Sequence, residues 1–194
     1  MRPQNFLALD LELNKTKEYK NRIIQVGVAI GSPLKPEDIQ TFSWYINPQE
    51  PIVPFIQSLT GITDGIIQEK SVEHKVVAEE LGEIIKQNNC YVNPIVWGQG
   101  DVESLKYEFK ENDIHFPFFG RRILDVKTIF VYKQIASGKS PAGGLRKSMN
   151  SYRLKFEGTP HRADIDAKNT LRFFFHLLNT ENKTLNLLSH LKEL

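Results

Sequence analysis

The run Phe6-Leu7-Ala8-Leu9-Asp10-Leu11-Glu12-Leu13 alternates with a period of two, the pattern of a β-strand. Leu7, Leu9, Leu11 and Leu13 share one face, and Phe6, Ala8, Asp10 and Glu12 share the other. Both acids therefore point to the same side of a strand that is otherwise leucine-rich. Buried carboxylates without partners are strongly disfavoured, so the pair asks for a cation or a chemical task.

Outward from that strand, Arg22 to Gly31 and Thr41 to Asn47 are rich in Ile, Val, Phe, Trp and Tyr and are bounded by Pro, Gly and Asn, which predicts an antiparallel run of three strands. Asn47 to Pro54 carries three prolines and reads as a loop. Ser71 is a reasonable N-cap for a helix with Val77, Leu81, Ile84 and Ile85 on its core face, ending near Asn88-Asn89. Pro94 to Trp97 reads as a short buried strand giving way at Asp101 to a helix bearing Val102, Leu105 and Phe109. A second strand-to-helix step spans Arg122 to Ile135. A Gly/Ser/Pro/Lys linker, Ser137 to Gly144, precedes a short helix through Tyr152. The last long helix opens near Arg162 or Ala163 with the stripe Ala163, Ala167, Leu171, Phe174 and Leu178, and Leu185 to Leu194 reads as a terminal helix. Early strands followed by alternating strands and helices predict a mixed α/β layer architecture.

The 194 residues suit one core better than two, so residues 1–194 read as a single domain. Hydrophobic residues at 40% and charged residues at 25% are ordinary for a globular protein and exclude a disordered chain. No apolar run is long enough to span a bilayer, and Met1 to Asn5 shows no signal core, which points to a cytoplasmic protein with no membrane role. The lone Cys90 has no disulfide partner, in keeping with a reducing compartment. A net charge of +2 leaves nucleic acid neither demanded nor excluded.

Two more stretches complete the acid set: Trp97-Gly98-Gln99-Gly100-Asp101 and His161-Arg162-Ala163-Asp164-Ile165-Asp166-Ala167. Asp10, Glu12, Asp101, Asp166 and one imidazole, His161, thus come from three separated segments. Hard divalent cations prefer oxygen ligands, and phosphodiester cleavage benefits from two ions roughly 3.5–4 Å apart that steady the entering and departing oxygens. Imidazole as a class titrates near neutrality, which suits His161 to take a proton from water. Each residue alone has a plainer reading. Asp10 could end a strand, Asp101 could be an N-cap, Asp166 could complement a helix dipole, and His161 could be a surface turn residue. Together they are hard to explain structurally. Asp164 sits beside Asp166 on a helix, points elsewhere, and is left out of the set.

This pattern resembles the DEDD exonucleases of the ribonuclease-H-like fold, in the histidine-bearing (DEDDh) subgroup that includes proofreading exonucleases, oligoribonuclease and ribonuclease T. The motif Asp-x-Glu is met by Asp10 and Glu12, the helix-opening Asp by Asp101, and His-x-Ala-x-x-Asp-Ala by His161, Ala163, Asp166 and Ala167. In finer detail, Trp97-Gly98-x-x-Asp101, Leu59-Thr60-Gly61-Ile62-Thr63 and Asp166-Ala167-Lys168-Asn169-Thr170 are similar to the branch that trims histone messenger RNA ends and small RNAs. The resemblance implies a mixed central β-sheet flanked by helices and 3′-to-5′ removal of nucleoside 5′-monophosphates from single-stranded RNA or DNA 3′ ends, RNA favoured. It implies two Mg2+ or Mn2+ ions, bound directly by Asp10, Glu12 and Asp166 and supported by Asp101, with His161 deprotonating the attacking water. It further implies terminal-nucleotide contacts from Leu13, Leu59, Thr60, Ile62 and Trp97. Leu13-Asn14 stand where the family usually has small or hydroxyl residues, which bears on sugar preference and not on the metals.

Plainer readings stand beside these. The Leu59 to Thr63 segment could be a simple turn, Trp97 a core residue, and Arg146, Lys147, Arg153, Lys155 and Arg162 either phosphate contacts or a solvated face. A DNA exonuclease for repair or proofreading is the alternative within enzymes, since the acids see only a phosphodiester while the 2′-hydroxyl is read by pocket shape. A nucleic-acid-binding module without turnover is the alternative outside them, disfavoured because clustered acids repel a polyanion. The oligomeric state is open, with a homodimer compatible.

Overall fold

The alternating run forms β1 (Phe6–Asn14), the fourth strand of a six-stranded sheet in a computed structural model that describes residues 5–15, 21–115, 119–141 and 143–191, the last stretch beyond residue 180 by its backbone alone. β2 (Arg22–Ser32) and β3 (Lys35–Ile46) follow as the expected antiparallel partners. β3 starts earlier than its apolar content indicates, because a hairpin pairs Ser32 with Lys35 and draws the polar Lys35 to Gln40 stretch into the ladder. Next come α1 (Pro54–Thr60), α2 (Asp64–Lys70), β4 (Ser71–Val72) and α3 (His74–Gln87). β5 (Ile95–Val96), α4 (Asp101–Glu111), β6 (Leu124–Asp125) and α5 (Val126–Ala136) supply two parallel strand-to-helix steps, followed by α6 (Leu145–Ser151) and the long α7 (Ala163–Leu191). The strand order is β4-β3-β2-β1-β5-β6, antiparallel across β1, β2 and β3 and parallel elsewhere.

The sheet separates two apolar layers, as the period of two in β1 requires. Leu7, Leu9 and Leu11 with Val26, Val28 and Ile30 pack on Val77, Ala78 and Leu81 of α3 and Val102, Leu105 and Phe109 of α4. On the other face Ala8, Ala29 and Ile95 meet Phe130 of α5, Met149 of α6 and Ala167, Leu171 and Phe173 to Phe175 of α7. A third cluster, Ile24, Ile52, Ile56, Ile62 and Ile67, seats α1 and α2 on the sheet.

Three expectations need correction. The loop expected over Asn47 to Pro54 ends at Val53, and Leu59 to Thr63 is not a simple turn: Pro54 opens α1, which runs through Thr60, Gly61 closes it in a left-handed conformation (φ 73°), and the Thr63 hydroxyl caps α2. Helices of seven residues are too short to display helical periodicity, whereas Pro at the first turn and Gly after the last are recognisable boundary signals. Ser71 is not the cap of α3; it pairs with Tyr45 in β4, and α3 begins at His74 after Glu73, which makes no side-chain cap. Residues 185–191 do not form a separate terminal helix but continue α7, and residues 192–194 lie outside the described residues. Cys90 is buried and free, and burial pushes its thiol up to about 11, which makes it an inert packing residue. Among the described residues no helix is long and apolar enough to cross a membrane.

Candidate active site

Asp10 and Glu12 lie on the face of β1 that looks toward α7, and their cross-strand partners on β2 are Gly27 and Gln25. These partners place α7. A Cβ on Gly27 would sit inside the backbone of Ala163 and Asp164, so only glycine lets the first turn of α7 come down onto the sheet beside Asp10. Gln25, 0% exposed, accepts the Ala163 N–H through Oε1 (3.1 Å) and donates through Nε2 to Ser43 Oγ (2.7 Å), a cap supplied from a neighbouring strand. Asp166, in that first turn, is thereby carried to Glu12.

The register of β1 shifts between Glu12 and Leu13, a bulge of the kind that re-aims side chains at the end of a strand. One oxygen of Glu12, one of Asp166 and a ring nitrogen of His161 all lie within 4.8 Å of one another. His161 sits in a left-handed backbone conformation (φ 62°), uncommon for a residue with a side chain, and its N–H donates to Asp166 Oδ2 at 2.8 Å. Asp166 thus fixes the histidine's main chain through Oδ2. Asp164 pairs with Arg162 at 3.4 Å, and its charge adds to the rise of the Asp166 carboxyl.

Asp101 opens α4 at its first position, after Gly98 (φ 88°) and Gly100 (φ 118°). The turn is anchored by Asp125: its Oδ1 accepts both the Gly98 N–H and the Lys127 N–H at 2.9 Å, and its Oδ2 accepts the Thr128 hydroxyl at 2.6 Å. One carboxylate therefore ties the loop before Asp101 to the start of α5.

The electrostatics show four crowded acids whose burial and mutual repulsion outweigh the opposing charge of Lys15. Burial, then the charges of Asp101, Asp166 and Glu12, hold the Asp10 carboxyl well above the usual carboxylate range. Burial, then Asp166 and Asp101, lift Glu12 to about 7, with Lys15 opposing. Asp101 is lifted to about 7, mainly by burial and again against Lys15. Asp166 is raised by burial, an effect moderated by the His161 and Arg162 backbone hydrogen bonds. Oxygen donors at this density, each destabilised as an anion, are the donor set that a hard divalent cation relieves, so the residues fit such ions.

The other expected contact residues fall into two groups. Leu59 is 38% exposed and Leu13 half-buried. Thr60 and Ile62 are buried: the Thr60 hydroxyl donates to Ile56 O and accepts the Ile62 N–H, and Ile62 fills the α1/α2 cluster. Trp97 is half-buried in ring contact with Phe130 and Phe173, both at about 6 Å between centroids. Asn14, at the position that departs from the family, is 0% exposed: its carboxamide donates to Pro51 O and Glu50 Oε1 and accepts the Val53 N–H, tying the entry of α1 to the end of β1. Phe55, 69% exposed and one turn before Leu59 on α1, was not singled out from sequence, nor were Gln25, Gly27 and Asp125. A surface aromatic four residues ahead of Leu59 was the one signal available for Phe55. The remaining three depend on pairing partners that no single segment reveals.

A family model described as "Exonuclease" (RNase_T) matches residues 7–174, the stretch that holds every one of these acids. The chain belongs to the exonuclease family. This exonuclease is 28% identical over 180 residues to the "3'-5' exonuclease DinG" of Bacillus subtilis (strain 168), covering 92% of the chain and 18% of that protein, so it spans less than a fifth of the relative's length. Its fold is that of the nuclease domain of 3'hExo, a DEDDh family member solved with rAMP (TM-score 0.78, 18% identity, 91% of this chain and 92% of that one). It also matches E. coli ExoI in complex with ssDNA (TM-score 0.72, 14% identity, 96% of this chain and 43% of that one). The mixed six-stranded sheet flanked by helices is the ribonuclease-H-like exonuclease fold.

Proposed function

We propose that this exonuclease, acting as one domain over residues 1–194, removes nucleoside 5′-monophosphates stepwise from the 3′ ends of single-stranded nucleic acid, RNA in preference to DNA. The convergence of Asp10, Glu12, Asp101 and Asp166 with the His161 ring carries the reading. The 3′-to-5′ direction is supported by the DinG relative, and the RNA preference by the likeness to 3'hExo with its bound rAMP. A DNA substrate is the second reading, favoured by the likeness to ExoI with ssDNA. The four carboxylates argue against a silent binding module, because without cations they repel a phosphate backbone.

Asp10, Glu12 and Asp166 would hold two Mg2+ or Mn2+ ions, with Asp101 supporting the second. Bound there, such ions supply positive charge against the attacking and leaving oxygens of the phosphodiester. His161 takes the proton from the attacking water, its backbone steadied by Asp166. Leu13, Leu59 and Phe55 offer apolar surface to the terminal bases, the buried Thr60 and Ile62 hold α1 beneath it, and the half-buried Trp97, packed on Phe130 and Phe173, contributes beside the Asp101 loop. Arg146, Lys147, Arg153, Lys155 and Arg162 are exposed and available to phosphates. The lone buried Cys90 supports a reducing, cytoplasmic setting.

The test is degradation of matched, 5′-labelled single-stranded RNA and DNA with Mn2+ or with chelator. Metal-dependent shortening from the 3′ end with mononucleotide release, faster on RNA, is expected, and Asp10→Ala abolishes it. Wild-type turnover by Asp10→Ala would remove the metal assignment, and faster turnover of DNA would reverse the sugar preference.

A further inference from the structure

The geometry points to Asn169 as a positioning residue that fixes the backbone of the 155–161 strap and, through it, the general base His161; this rests on His161 being the base. Asn169 lies on α7 three residues after Asp166 and is 0% exposed. Its carboxamide holds Glu157 from both sides of the peptide backbone, Oδ1 accepting the Glu157 N–H at 3.0 Å and Nδ2 donating to the Glu157 carbonyl at 2.8 Å. The same Nδ2 donates to Ile165 O at 2.8 Å, so the amide is pinned to its own helix as well. An amide side chain that satisfies an N–H and a C=O of one residue acts as a strand edge would, and it sets the strap's height and direction together.

The neighbours on α7 reinforce the same strap. Arg172 donates to Lys155 O and to Asn169 Oδ1 at 2.9 Å and pairs with Glu157 at 2.9 Å, while Lys168 pairs with Glu157 at 2.9 Å. These two ion pairs are partly exposed and add little by themselves. The neutral, buried Asn169 contact is the specific one. Beyond Glu157 the chain turns at Gly158 (φ 78°), where a Cβ would come within 3.0 Å of Ile165 Cγ2, and reaches His161 in its left-handed conformation. Between the Glu157 clasp and the His161 N–H bond to Asp166 Oδ2, only three residues intervene. Both ends of the turn are thus fastened to one helix, and that helix also carries Asp166. The hydrogen bonds of Asn169 go to Glu157, Ile165 and Arg172 and not to Asp10, Glu12, Asp101 or Asp166, so its effect on the reaction passes through the strap to the imidazole.

Removing it should cost turnover and not binding. Displacement of a reacting group by about 1 Å can lower a rate by on the order of 10²-fold. For Asn169→Ala we expect a kcat loss of that order, KM within about twofold, and Mn2+ affinity by calorimetry unchanged, all on the full chain with labelled single-stranded RNA. The double variant with His161→Ala separates the roles. If Asn169 works through His161, the double variant is no slower than His161→Ala alone. Multiplicative losses, a raised KM, weakened Mn2+ binding or wild-type kcat in Asn169→Ala would each overturn the proposal. Wild-type kcat in His161→Ala would instead remove the base assignment beneath it. Should Asn169→Ala fail to fold, Gly158→Ala strains the left-handed turn of the same strap and crowds the Ile165 side chain while leaving the Asn169 carboxamide in place, and it must show the same kcat loss, constant KM and non-additivity with His161→Ala.

Discussion

Glu12→Gln replaces one crowded carboxylate with a neutral isostere, and its effect on stability has a defined sign and pH window. Without divalent cations, burial and the charges of Asp166 and Asp101 lift the Glu12 carboxyl from 4.5 to about 7. A carboxyl with a raised pKa binds its proton more tightly in the folded state, so stability falls as pH climbs through that interval. Below about pH 4.5 both states hold the proton and the group costs nothing; above about pH 7 the whole penalty is in force. At about 1.4 kcal/mol per pH unit, the lift corresponds to on the order of 3 kcal/mol, and Glu12 at 9% exposure is little screened by solvent. A chain of this length shifts its melting temperature by roughly 2–4 °C per kcal/mol. In chelator, the variant and the wild type should therefore melt together near pH 4, and at pH 8 the variant should melt higher by roughly 6–12 °C. Saturating Mn2+ should invert the order at pH 8, because a ligand that binds only the folded state adds stability in proportion to RT ln(1 + [L]/Kd), and the variant has lost a ligand. Circular-dichroism melts across pH 4–8 decide it. A variant that melts at or below wild type at pH 8 in chelator, or an equal gain from Mn2+ in both proteins, refutes the electrostatic account of the site.

Gly27→Ala forces α7 off the sheet next to Asp10; we expect a stability loss above about 3 kcal/mol and no Mn2+ binding by any folded fraction, measured by melting and calorimetry. Gln25→Ala strands the Ala163 N–H and should cost about 1–3 kcal/mol together with weaker Mn2+ binding, whereas unchanged metal affinity would show that the cap is structural alone. Phe55→Ala should raise KM for single-stranded substrate by roughly 5- to 150-fold, the worth of one stacked base, with kcat little altered; an unchanged KM would take α1 out of the binding surface.

The part of the site that sequence made legible is the part written in local periodicity. Asp10 and Glu12 could be placed on one face because a strand repeats every two residues, and Asp166 could be placed in a first turn because the stripe from Ala163 to Phe174 repeats helically. The antiparallel run of three strands followed from apolar stretches bounded by turn residues, and the mixed character of the sheet from the family resemblance. What stayed hidden is pairing at long range. Gly27 and Gln25 look like ordinary residues of a β-strand until Asp10 and Glu12 are known to stand opposite them, 17 and 13 positions earlier in the chain. The Gln25 bond to Ala163 spans 138 positions. Asn169 could be read as one more polar position on a long helix, yet both of its polar atoms are spent on a strap twelve residues back.

These hidden residues share a physical task that explains why they are uncharged. The cleft already concentrates four carboxylates at a cost in stability, and any ionised residue recruited to hold α7 in place would either neutralise them or add to their repulsion. A glycine for closeness, a glutamine for the helix end and an asparagine for the strap position the acids and the imidazole without altering the field in which they work. Lys15 is the exception that supports the rule: it is the one basic side chain whose charge bears on both Glu12 and Asp101, and it stands just past the end of β1 rather than among the buried supports. The supports of α7 and of the strap are neutral, so the negative charge of the site is left for cations to balance.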